Sequence, residues 1–229
     1  MSQTTQKNPF LSDSHFPEFN LFHVEHIEPA VSQLLADNKK VIDELVSSEE
    51  QPTWQNFVEP LEAIDNRFEK VWGPVGHLDA VMNSDEWHNA YTNCLEKVTQ
   101  YYTENGQNEG LYQMFHAISK GDEYHSYNLA QKKVIENALR NFRLSGIALP
   151  KPEQAIYKEL KQRLSQNSSQ FGNNVLKSTQ AWSKHINDES QLAGLPESAM
   201  GLLQQLAEQK SLTGWLVTLD FPSYLAIMT

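Results

Sequence analysis

After Pro152 the chain carries no further proline as far as Ala181. As one helix, at 1.5 Å per residue, this run would make a rod of roughly 45 Å. The stretch before it, Tyr127 to Gly146, places Leu129, Val134 or Ile135, Ala138, Leu139, Phe142 and Leu144 at helical spacing, which predicts a single apolar stripe. Glu136 stands four residues before Arg140, the spacing of an exposed ion pair. Gly146 occupies the place of a left-handed residue closing that helix. Pro150 and Pro152 then open the long one, since proline is tolerated in a first turn whose N–H groups have no intrahelical partner. The expected fold is mostly α. It is a multi-helix bundle with this long central helix, against which everything earlier packs, and one or two short β-strands near the C-terminus.

The rest of the chain divides around that spine. Residues 1–22 read as an extended N-terminal arm, irregular, with Pro9 and Pro17, whose Phe10, Phe16, Phe19 and Phe22 dock on the body. Residues 23–181 read as a helical domain. Its first helix starts near Val24 and buries Ile27, Ala30, Val31, Leu34, Leu35, Val41, Ile42 and Leu45. A short helix at Trp54–Glu59 leads through Pro60 into a longer one with Leu61, Ile64, Phe68, Val71 and Trp72 on one face; Gly73-Pro74 bends it. Ser84 is a strong N-cap, followed by Asp85 and Glu86 where the helix dipole favours acids. That helix carries Trp87, Tyr91, Leu95, Val98 and Tyr102 and stops at Asn105-Gly106; a shorter one spans Glu109–Lys120. Residues 182–229 read as the start of a mixed α/β segment. A weak strand at Trp182–Asn187 precedes a helix, Ser198–Gln209, then a buried strand at Gly214–Asp220 and a last helical pattern from Pro222. One or two strands do not make a stable sheet alone. The expectation is therefore a chain that breaks off mid-pattern and continues into a missing part. The strand edge near Trp215–Asp220 also predicts pairing between copies, a possible dimer.

Composition narrows the function classes. A net charge of −11 argues against nucleic acid, which needs clustered Lys and Arg, and against an anionic membrane surface. No apolar run is long enough for a membrane span, and Met1–Lys7 lacks the apolar segment of a secretory signal. The expected location is cytoplasmic. A single cysteine, Cys94, cannot form an internal disulfide and reads as a reduced, half-buried thiol.

No catalytic machinery is legible. A zinc peptidase helix needs His-Glu-x-x-His, which sets two imidazoles one turn apart with a glutamate to take a proton from the metal-bound water. None of His15, His23, His26, His77, His88, His116, His125 and His185 is followed by Glu. The nearest approach to a metal cluster is His23 and His26 with Glu25 and Glu28, read chiefly as capping or solvent-facing groups because no third and fourth ligand is named. His77 reads as a satisfied interior histidine. The acidic pairs Glu49-Glu50, Asp85-Glu86 and Asp122-Glu123 lie at helix ends. Gly106 and Gly110 bracket a turn too weak to suggest a phosphate site. The polar run Ser165–Asn174, inside the long helix, has two readings: a solvated or helix-bridging face, or the polar lining of a peptide-sized channel.

Several segments carry a family resemblance. Ala130-Gln-Lys-Lys133, Asn137-Ala-Leu-Arg140, Leu144-Ser-Gly-Ile-Ala-Leu-Pro150, Phe171-Gly-Asn-Asn-Val175 and Leu216-Val-Thr-Leu-Asp-Phe-Pro-Ser-Tyr224 resemble the thimet-oligopeptidase-like zinc metallopeptidases. Glu109-Gly-Leu-Tyr112 and Pro29-Ala-Val31 fit the same pattern, and the likeness runs from about Phe19 to Thr229. The resemblance implies an N-terminal portion of a cytosolic enzyme that cleaves short peptides, signal-peptide remnants among them, in a deep channel between two mostly helical halves. It implies zinc in the whole protein, with the His-Glu-x-x-His helix and a third, glutamate ligand beyond Thr229. No catalytic, cofactor-binding or metal residue of the family therefore falls on this chain. The chain is expected to hold no zinc and to be inactive alone. The competing readings are a free-standing acidic helical module that binds proteins, and an independent metal protein built on His23 and His26.

Overall fold

The computed structural model describes residues 8–12, 14–82 and 84–228. The chain forms two compact units, Met1–Gln166 and Asn167–Thr229, and the division falls inside the long helix. Residues 1–7 and 13 of the expected arm lie outside the described residues.

The first unit contains α1 (Val24–Val46), α2 (Glu59–Met82), α3 (Asp85–Gly106), α4 (Glu109–Lys120), α5 (Leu129–Leu144) and the first half of α6 (Lys151–Ala181). Polar side chains start these helices by taking up backbone N–H groups that have no intrahelical acceptor. Ser84 Oγ accepts from the Trp87 N–H at 3.2 Å, and Asn108 Oδ1 from that of Leu111 at 3.1 Å. Asn128 and Gln131 cap one another reciprocally at the start of α5. A single π-helical turn, Trp54–Val58, is capped by Thr53 and Asn56 in the same way and runs directly into α2, which continues through Gly73-Pro74.

Two apolar clusters hold this unit together, and α1 contributes to both. Its first turns place Ile27, Ala30, Val31 and Leu34 against Phe68, Val71 and Val75 of α2 and Trp87, Cys94 and Val98 of α3. Farther along, Ile42 joins Phe57, Val58, Tyr101, Leu111, Phe115, Ile118, Ile135 and Phe142. Each such side chain contributes about 1.5–3 kcal/mol when it leaves water. Asn38, predicted by no apolar pattern, is buried on the same face of α1, its Nδ2 3.5 Å from the Ile64 carbonyl. The arm docks more sparingly than expected. Phe10 and Phe22 are buried and stacked at 4.0 Å, whereas Phe16 and Phe19 remain exposed.

The corner between α5 and α6 has the expected geometry. Gly146 has φ +80°, and the Ile147 N–H donates to the Phe142 carbonyl at 3.2 Å, closing the helix end. The packing on either side differs from the sequence reading. In α5 only Ile135 and Phe142 are buried; Leu129 and Leu144 are exposed, and Glu136 pairs with Lys133 at 3.2 Å. α6 has the expected length, but Gln154 is its one buried residue. The earlier helices pack on α1 instead. The core is already closed by α1–α5, so the apolar residues of α6 are not drawn into it.

In the second unit, β1 (Ser183–Ile186) and β2 (Trp215–Thr218) pair antiparallel, with Ile186 opposite Trp215 and Ser183 opposite Thr218. One face is covered by α7 (Glu197–Gln209), so that Ile186, Leu192, Leu203 and Val217 form a small core. Ser223, buried at the start of α8 (Phe221–Met228), accepts from the Thr218 N–H at 2.9 Å and ties that helix to the strand.

A Gly146→Ala variant forces a β-carbon into the left-handed region and within 2.7 Å of Leu149 Cδ1. It is expected to lower unfolding free energy by about 1–2 kcal/mol, read as a lower urea midpoint at unchanged slope.

Candidate functional site

The histidines are resolved one by one. His23 and His26 come together at the start of α1, with ring centroids 5.5 Å apart. They form a cap: His26 Nδ1 accepts from the His23 backbone N–H at 3.3 Å, and the His23 side chain faces the His26 N–H. A ring nitrogen of the pair is thus committed to the helix terminus, and among the described residues no group of three or more His, Cys, Asp and Glu is arranged to hold a metal ion. The pair does not fit zinc, which needs at least three protein ligands in fixed geometry. His77 is exposed on α2, 5.7 Å from the Phe19 ring, and not interior. Its apolar neighbours in sequence point to the core, but its own position on the helix does not.

His88 makes the polar pair that sequence patterns missed. Its Nδ1 lies 3.0 Å from Asp79 Oδ1, both groups largely covered. The partners sit nine residues apart across the turn from α2 to α3, a separation outside any helical spacing, so only the folded turn joins them. Tyr91, one turn further on, has its phenol pushed above the usual range by burial and by the Asp79 charge. Cys94 is fully buried, more than the half expected, and burial pushes its thiol up to about 11, so it is protonated and inert at neutral pH.

Grooves on the surface of the first unit include two large ones. One, about 440 Å³, is walled by apolar side chains including Leu61, Ile64, Val134 and Phe142, with Asp65, Asn105 and Asn141 among its polar groups. Asp65 is pushed up to about 6 by partial burial of its carboxyl and then by the charges of Glu62 and Glu69. Tyr102 donates to Glu69 at 3.2 Å. The second groove, about 460 Å³, lies where α6 leaves the body and is lined by Trp72, Val98, Thr99, Tyr157 and Ser165. Ser165, first residue of the polar run in α6, is 2.9 Å from Thr99 Oγ1. Asn167, Ser168, Gln170 and Asn174 of the same run face solvent. The grooves offer apolar walls with scattered hydrogen-bonding groups and no acid–base pair poised on a common point.

Comparison with known proteins adds a relationship. Residues 31–154 match the family described as Neurolysin/Thimet oligopeptidase, N-terminal domain. The chain is 45% identical to oligopeptidase A of Haemophilus influenzae over 98% of its own length and 33% of that protein. It is 43% identical to oligopeptidase A of Escherichia coli over 97% of its length and 33% of that protein. A probable cytosolic oligopeptidase A of Arabidopsis thaliana is 34% identical, with 98% and 33% covered. The chain spans about a third of the length of these curated relatives. Among the described residues no helix is long and apolar enough to cross a membrane.

The raised Asp65 carboxyl gives a pH signature. Its protonated form is favoured by folding, so this contribution to stability is complete below the unfolded value of 3.8 and is lost as pH rises through about 6. Asp65→Asn should therefore stabilise the protein at pH 7.5, by on the order of 1 kcal/mol after allowing for solvent screening. The gain should vanish near pH 4 when urea unfolding is compared at the two pH values.

Proposed function

We propose, from the premise that this chain belongs to the Neurolysin/Thimet oligopeptidase N-terminal domain family, that it is the non-catalytic N-terminal portion of a cytoplasmic, zinc-dependent oligopeptidase that hydrolyses short peptides. The observation that carries the reading is identity of 43–45% with two bacterial oligopeptidases A across nearly the whole chain but only a third of theirs. The absence of His-Glu-x-x-His from these 229 residues supports a division of labour, in which zinc, its water and the general base come from the remaining polypeptide. Since the residues here do not fit zinc, no step of hydrolysis is assigned to any of them.

The contribution proposed for this portion is shape. Residues 23–181 form one wall of a substrate channel and limit the size of what enters, with Phe10 and Phe22 of the arm fastened to its body. Residues 182–229 begin the mixed segment that leads into the catalytic part. The solvent-facing Asn and Ser of α6 and the groove at its base suit such a wall. An extended peptide carries a backbone donor and acceptor at every residue, and a channel lined with amide and hydroxyl groups satisfies them without selecting a side chain.

The pure chain should hydrolyse a quenched fluorescent peptide at background rate. Joined to the remaining, C-terminal part of the E. coli oligopeptidase A, it should support cleavage that a chelator abolishes. Chelator-sensitive cleavage by the chain alone would overturn the reading. So would a folded, zinc-loaded fusion without activity.

A further inference from the structure

α6 is attached to the first unit by its polar side and turns its apolar side to water. Lys151 pairs with Glu109 at 2.6 Å and Lys158 with Glu104 at 2.5 Å. Gln154 donates to the carbonyls of Ile147 and Leu149, Tyr157 to that of Leu144, and Ser165 meets Thr99. Lys151, Gln154, Lys158 and Ser165 are separated by three, four and seven residues, spacings that keep them on one face, with Tyr157 at its edge. Ile156 and Leu160, exposed to 56% and 55%, stand on the opposite face, and Leu164, exposed to 60%, continues their row at the rim of the groove that it lines with Trp72 and Val98. A surface helix ordinarily does the reverse, burying its apolar stripe and presenting its polar one. Isolated exposed leucines need no explanation, but three at i, i+4 and i+8 form a continuous ridge of the kind that seats in the groove of a facing helix.

We propose that the ridge Ile156, Leu160 and Leu164 is a docking surface for an apolar helix supplied by the C-terminal part of the oligopeptidase polypeptide. The inference rests on the proposed function, and it names where the two parts meet. The relatives supply the occupant. Similarity to the H. influenzae and E. coli proteins covers 98% and 97% of this chain, so it includes α6. In both, the matched stretch is only 33% of the polypeptide. The larger part of each relative is therefore available to cover a ridge that nothing in the first unit covers. The polar attachment of α6 fits this role, because exposed ion pairs hold the helix in place without consuming its apolar face.

The test is thiol reactivity of Leu160→Cys, with Ile156→Cys as a second position and Lys40→Cys on α1 as an exposed control. Native Cys94 gives little background, being buried. Each variant is made in the 229-residue chain and in its fusion to the remaining part of the E. coli oligopeptidase A, and maleimide labelling is timed. Labelling at 160 and 156 should be fast in the chain and slower by about ten-fold or more in the fusion, with the control equal in both. Equal labelling in a fusion that cleaves peptide would overturn the docking surface and leave the proposed function standing. Protection in a folded, zinc-loaded fusion that cleaves nothing would sustain the surface and remove the function. Protection that grows with concentration of the 229-residue chain alone would identify a second copy as the occupant and overturn the proposal.

Discussion

Burial of one face of α1 is the constraint on which the first unit depends. Ile27, Ala30, Val31 and Leu34 close one apolar cluster and Ile42 helps close the next, so a single helix bridges both. α2 and α3 lie against the first half of that face, and α4 and α5 reach the second cluster through Leu111, Phe115, Ile135 and Phe142. Buried Asn38 sits between the two sets on the same helix. Removing apolar volume from α1 would loosen two cores at once, and for that reason its positions tolerate change least.

Once α1 closes the body, α6 is released from a structural role inside it. The helix attaches through lysine–glutamate pairs and side-chain amides at its first turns, interactions that orient it at small net energy. Its solvent-facing polar residues and its exposed apolar ridge are the surfaces that the proposed channel wall and docking site would use. The proposed wall would rest on this division: the core secures the shape, and the long helix carries exposed surface.

Much of this was legible in the sequence. Ser84 and Gly146 mark helix ends because their chemistry answers a local need, an unpaired N–H or a left-handed turn, that does not depend on the rest of the fold. The Glu109–Lys120 helix and the two short strands followed from period and composition. Packing partners were less accessible. Periodicity reports which side of a helix is apolar, not whether another element arrives to cover it, so Leu129 and Leu144 read as core and are exposed, and the long helix read as the packing centre is buried at Gln154. Phe16 and Phe19 failed for the same reason, while Phe10 and Phe22 found each other. The His88–Asp79 pair stayed hidden because its partners meet only across a folded turn. His23 and His26 resembled a metal pair in spacing, yet their nitrogens serve the helix terminus.

The central claim is that the α1-centred core is the stable body and that α6 is appended to it by polar contacts. Native-state hydrogen exchange of the 229-residue chain tests this most directly, since it assigns an opening free energy to each helix. The account predicts that amides in α1 and α3 exchange only through global unfolding, while those of Ile156 to Ala181 exchange through a smaller opening at lower cost. Exchange of α6 at the global free energy, together with α1, would contradict it.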